Sequence, residues 1–282
     1  MKSNKFIKIL SLIISFITMI TIIIIAVISI LNTTILNSGF IPKIIKTTNY
    51  SDLLYINVNK DINHLLGISG IPEESVSNLI SLKQVNDDSV KYFEAIFSNK
   101  DFSIDKELLS STIKKAISDY AYKQDLFNVN KNELDKNIDE LTNKCVLKYE
   151  DEIMIKTIKP ISKITNWFNE YKNIVFLVIS IILLFEMLII SLLNRKVNKT
   201  VKYFAFSTFG SCIFLFAVAM ITVFSNVISR IPLTNQSQYI LGTAILTDML
   251  TSLYFTVAIL FIISLIIILL FFITYKKKSS LS

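Results

Sequence analysis

The 282-residue sequence predicts an all-α, polytopic membrane protein, with four transmembrane helices and a helical extracytoplasmic domain inserted between the first and second. Three observations carry that reading. Hydrophobic residues make up 52% of the chain, with only 5 Gly and 4 Pro, which fits neither a soluble globular average nor a disordered chain. Four apolar stretches reach the ~20 residues that a helix needs to cross a hydrocarbon core of about 30 Å. Basic residues flank these stretches in an alternating pattern that orients them.

Residues 1–8 hold Lys2, Lys5 and Lys8 and read as a cytoplasmic N-terminus. Residues 9–31 form the first span. Its uncharged run outlasts the roughly 7–15 residues of a cleavable signal, and no A-x-A-like site follows in "LNTTILNSGF", so it reads as an uncleaved signal anchor.

Residues 32–173 form the outer domain. Its opening, "NTTILNSGFIPKIIK", carries Gly39 and Pro42 and reads as a linker or short interfacial piece. Five amphipathic helices are then expected. One begins at Ser51 as N-cap and ends at Gly67 and Gly70, and the next starts at Pro72 with Glu73 and Glu74 in its first turn. A third is capped by Asn86, holds Asp87 and Asp88 in its first turn, and lines up Val90, Phe93 and Phe97. A fourth is capped by Ser103, with Leu109, Ile113, Ala116, Ile117 and Tyr120 as its stripe. The fifth sets Leu134, Ile138, Leu141 and Cys145 on one face and reads as the spine of the domain. Pro160 should end or kink it. Trp167, Phe168 and Tyr171 fall where aromatic side chains anchor at a membrane interface.

Residues 174–193 form the second span, 194–203 a short basic cytoplasmic loop, 204–225 the third span and 226–251 a short outer loop in which Arg230 balances Asp248. Residues 252–274 form the fourth span and 275–282 a basic cytoplasmic tail. The three cytoplasmic segments contain basic residues and no acidic one, while residues 32–173 are slightly acidic. The net charge of +7 is therefore a topology signal, placing both termini in the cytoplasm of a cell membrane protein. It is not a nucleic-acid footprint, because the large polar segment has no basic stripe.

Motifs exclude several chemistries. No G-x-x-x-x-G-K-[ST] loop is present, so the chain carries no ATPase of its own. A single histidine, His64, rules out H-E-x-x-H and multi-histidine metal sites and reads as a surface residue near a helix end. The acidic run Glu150, Asp151 and Glu152, with Asp139 and Glu140 upstream, lacks the spacing of a calcium loop; no metal and no cofactor is expected. Cys145 and Cys212 lie in different compartments, cannot pair, and read as small core residues.

Glu186 stands inside the apolar run "VISIILLFEMLIISLL", about 10 Å from the inner end of its span at 1.5 Å per residue. An ionised acid at the centre of a span costs about 2.5–3.5 kcal/mol on insertion scales, so it is expected to face protein. Matching depth from the inner ends of the neighbouring spans selects Ser15, Thr18, Ser207 and Ser211 as partners, with Gly210 allowing close helix approach. Hydroxyls are the only side chains on offer there, which favours the uncharged acid. A hydrogen-bonded acid that helps assembly and a proton- or cation-responsive site are the two readings.

The layout of one span, a large outer domain and three further spans is similar in outline to the permease-like subunits that pair with ABC ATPases in cell-wall regulation and in macrolide or lipoprotein export. That resemblance covers topology and implies a separate ATPase as partner. The loop "NRKVNKTVKY" is shorter than the coupling segment of those subunits. With no nucleophile–base pair in view, the expected function is non-catalytic. The chain is expected to present its outer domain to an envelope protein, a membrane-protein partner or a ligand. A transport or channel subunit built on Glu186 is the alternative.

Overall fold

The structure, a computed structural model, describes residues 2–73, 79–124, 131–155, 158–226, 230 and 235–279; among these there is helix and no strand. The described helices are α1 (Lys2–Thr33), α2 (Phe40–Thr47), α3 (Tyr50–Ile68), α4 (Leu82–Phe97), α5 (Lys106–Lys123), α6 (Lys131–Ile153), α7 (Lys159–Asn194), α8 (Val197–Phe224) and α9 (Gln236–Ser279). α1, α7, α8 and α9 are each long and apolar enough to cross a membrane. The chain divides into two compact units. One comprises Met1–Asn37, Trp167–Ile231 and Ile245–Ser282, here the span unit; the other comprises Ser38–Asn166 and Pro232–Ala244, here the helical unit.

The helical unit buries one face of each of its helices. α6 contacts α3, α4 and α5, so it is the spine that its sequence pattern predicts. Ile138, Cys145, Tyr149 and Ile153 are its buried stripe, whereas Leu134 and Leu141 of the expected face are only half-buried; Val85, Phe93, Leu54, Ile62, Leu66, Leu109 and Ile113 from the facing helices are almost wholly enclosed. Phe93 sits edge-on to Tyr50 and to Tyr92, at centroid separations of 6.2 and 5.2 Å.

Several sequence expectations for this unit are corrected. The segment read as a linker or short interfacial piece contains α2, whose Phe40, Ile41, Ile44 and Ile45 are buried in the helical unit; Pro42 is tolerated in its first turn. Ser51 is not a cap: α3 already begins at Tyr50, and the Ser51 hydroxyl donates to Asn86 Oδ1 of α4 at 2.9 Å. α4 starts one turn before Asn86, where Ser81 accepts the Gln84 N–H, because the buried stripe extends back to Val85. Asp87 and Asp88 are thereby interior to the helix. α5 is capped by Asp105, not Ser103: its carboxylate accepts the Leu108 N–H at 3.0 Å, and its charge complements the helix dipole. Pro160 does not break a helix but lies in the first turn of α7. The expected helix from Pro72 falls largely on residues 74–78, with Glu74, outside the described residues.

In the span unit, α1 packs chiefly against α8, and Ala26, Cys212, Leu215 and Val257 form a small cluster joining α1, α8 and α9. The helices outrun the apolar spans. α8 begins at Val197, so Lys199 and Lys202 lie on its first turns rather than in a loop. Likewise α9 begins at Gln236, inside the expected outer loop 226–251, where Asn235 Oδ1 accepts the Ser237 N–H at 3.0 Å as a cap. Of the three expected interface aromatics, Trp167 and Tyr171 are exposed and touch each other, whereas Phe168 is buried.

Candidate intramembrane polar site

α1 carries Ser11, Ser15, Thr18 and Thr21 at spacings of three and four residues, which places them on one face, and all four are buried. That face meets two helices. Toward α8, the Ser15 and Ser207 hydroxyl oxygens are 2.9 Å apart, Ser207 donates to the Ser15 carbonyl at 2.8 Å, and Ser211 is within 3.0 Å of the Met19 carbonyl. Hydroxyls reaching the neighbouring backbone require close approach, and Gly210 permits it: a Cβ there would lie 2.8 Å from Met19 Sδ. Because Ser15 pairs with Ser207 and Met19 with Ser211, α1 and α8 run parallel.

Toward α7 the register is antiparallel. The Asn194 amide donates to Ser11 Oγ at 3.0 Å, and the Thr21 hydroxyl donates to Glu186 Oε1 at 2.8 Å. Within its apolar stretch α7 buries only Glu186, Ile190 and Asn194, one residue per turn on one face. Two of those three are polar, so directional bonds attach this helix to α1, as expected where lipid tails compete equally for apolar surface. Glu186 Oε2 is buried without a hydrogen-bond partner. No lysine, arginine or histidine pairs with Glu186 among the described residues.

The expected site residues thus separate. Ser15, Ser207 and Ser211 come together in the α1–α8 seam, but not with Glu186. Thr18 spends its hydroxyl on the Ile14 carbonyl of its own helix. The acid instead takes Thr21, which depth matching missed. The cause is stagger: the Ser11–Asn194 bond sets the end of α7 level with Ser11, not with the start of the apolar run at Ile9, and this shifts Glu186 outward along α1. A signal was present, since Thr21 extends the 11-15-18 series by one more step of three.

Acidic groups of the helical unit meet cations: Lys106 bonds Glu150 at 2.7 Å, Lys144 bonds Glu140, Lys114 bonds Asp139, and Lys148 bridges Asp61 and Glu152. Tyr149 donates to Asp88 at 2.7 Å, and burial, then that carboxylate, pushes its phenol well above the usual range. Burial also raises the Cys145 thiol from 9.0 to about 11, as befits an inert core residue. Both cysteines are free and buried, and His64 is exposed on α3.

No protein-family model, curated protein or solved structure matches this chain.

Proposed function

We propose that the chain is a non-catalytic, multi-pass protein of the cell membrane that presents its helical unit, outside the cytoplasm, to an envelope protein or ligand. The observation that supports this reading most is the shared end of the basic residues. Parallel α1 and α8 and antiparallel α7 bring Lys5 and Lys8 to the same end of the span unit as Arg195, Lys196 and Lys199. A single basic end is what the positive-inside rule assigns to the cytoplasm. The chain leaves α1 at Thr33, the opposite end, and enters the helical unit at Ser38. That unit has the enclosed core of an independent module.

The buried, unpartnered Glu186 Oε2 favours a second reading, a transport or permease-like subunit that uses a protonatable acid and a separate ATPase. Copurification of the full chain from native membranes separates the two. An envelope protein recovered with it supports the module; an ATPase recovered instead moves the assignment to the permease-like subunit. Substitution Glu186→Gln is the second arm: loss of function at normal protein level would mean that ionisation is used.

A further inference from the structure

The basic end of the span unit has electrostatics that its own chain does not satisfy. Lys5, Lys8, Arg195, Lys196, Lys199 and Lys202 are all exposed, and none forms an ion pair among the described residues. Lys5 and Lys199 lie beside the positive ends of α1 and α8, where acidic residues are favoured, and Lys8 and Lys202 follow one turn on; neither first turn contains an acid. Since α1 and α8 are parallel, two positive helix ends and six cations converge at one membrane face.

The turn between α7 and α8 is only Arg195 and Lys196, with Arg195 held at φ 45°. The Ser11–Asn194 bond ties this turn to α1, so the cations are gathered by buried contacts and not by loose tails. The nearest acid along α7 is Glu186, two turns deeper and bonded to Thr21.

We propose that this end is a binding surface for the phosphate headgroups of anionic phospholipids, reached where the span ends meet the leaflet. Lipid is favoured over a soluble anion because the cations sit at the ends of apolar helices, at headgroup depth. Lys202, which lies 5.4 Å above the Phe206 ring, extends from such an apolar surface. The proposal rests on the membrane-spanning reading, which resistance of the protein to alkaline carbonate extraction checks separately.

The test uses the purified full-length chain in uncharged detergent, titrated with phosphatidylglycerol or with phosphatidylcholine of the same acyl chains while the thermal midpoint is followed. Phosphatidylglycerol should raise the midpoint and phosphatidylcholine should not, and salt should erase the difference. The combined substitution Arg195→Gln, Lys196→Gln, Lys199→Gln and Lys202→Gln should start at an equal or higher midpoint and bind phosphatidylglycerol at least about tenfold more weakly, given roughly fivefold per basic residue at a membrane surface. Should that variant fail to fold, Lys5→Gln with Lys8→Gln gives the same comparison with a smaller loss. Equal responses to the two lipids, or an unchanged response in the variants, would overturn the proposal. An equal rise with inorganic phosphate would assign the surface to a soluble anion, and an equal rise with polyglutamate to an acidic protein; either also overturns it.

Discussion

The two units of this chain are built inside out relative to one another. The helical unit encloses Phe93, Phe97, Leu54, Ile62 and Ile113 and carries its charges outward, where Lys106–Glu150 and Lys148–Asp61 meet in ion pairs. The span unit encloses Ser11, Ser15, Thr18, Thr21, Ser207 and Ser211 and turns Leu184, Phe185, Leu192, Phe214 and Ile266 outward. The span unit also encloses Ala26, Cys212 and Leu215, so the contrast lies in what each unit turns outward, as a change of solvent from water to lipid would produce. In water, apolar area removed from solvent drives helices together at about 25 cal/mol per Å². Among lipid tails that drive vanishes, and small residues and interhelical hydrogen bonds select the contacts.

The two units predict different costs for deletions of the same size. The largest effect belongs to the helical unit: Phe93→Ala removes an enclosed ring between Tyr50 and Tyr92 and should cost about 3–5 kcal/mol, read as a lowered midpoint in chemical denaturation. A similarly large deletion at an outward apolar residue of the span unit, such as Phe185→Ala, should leave stability in detergent nearly unchanged. Equal losses at the two positions would contradict the inversion.

Next is Gly210→Leu in the seam of α1 and α8. Overpacking against Met19 should cost about 1–3 kcal/mol, while Gly210→Ala, opposed only by a flexible thioether end, should cost less. Thermal unfolding in detergent measures both.

Smaller still is Glu186. Glu186→Gln keeps the bond from Thr21 and should leave assembly intact, whereas Glu186→Leu loses it and should cost roughly 0.6–2 kcal/mol, the range for interhelical hydrogen bonds. Thr21→Val should reproduce the Leu phenotype, and a double-mutant cycle should show coupling between positions 21 and 186 and none between 18 and 186.

A pH dependence bears on the aqueous half. The folded-state thiol of Cys145 is raised to about 11 from 9.0, so its contribution is fully present below pH 9 and is lost as pH rises towards 11, because the unfolded chain releases its proton first. Midpoints of wild type and Cys145→Ala should therefore differ most in neutral buffer and converge across that window.

How much of this was legible in the sequence differs between the units for the same physical reason. Apolar run length depends on bilayer thickness alone, so the four long helices could be read directly, and the spine character of α6 followed from its 3.6-residue period. Helix ends were not legible, because hydropathy reports where lipid stops and not where the helix stops. Asn235 caps α9, and α8 starts at Val197, in segments too polar to register as span. Inside the helical unit, Ser81 and Asp105 won the cap positions from Asn86 and Ser103, since the buried stripe and the dipole outweigh local cap preference. For the polar site, residue types and faces were readable, as Ser15, Ser207 and Ser211 illustrate. Pairing was not, because the stagger between helices is set by the Asn194–Ser11 bond, a contact between residues 183 positions apart.

The proposed topology, with the helical unit and the basic end on opposite sides of a membrane, is read by residue accessibility in intact cells. Single cysteines at Lys115, Lys131, Lys199 and Lys276, all exposed, would be treated with a membrane-impermeant maleimide. Labelling is expected at 115 and 131 without permeabilisation, and at 199 and 276 only after it. Labelling of 199 and 276 in intact cells, with 115 and 131 protected, would contradict it.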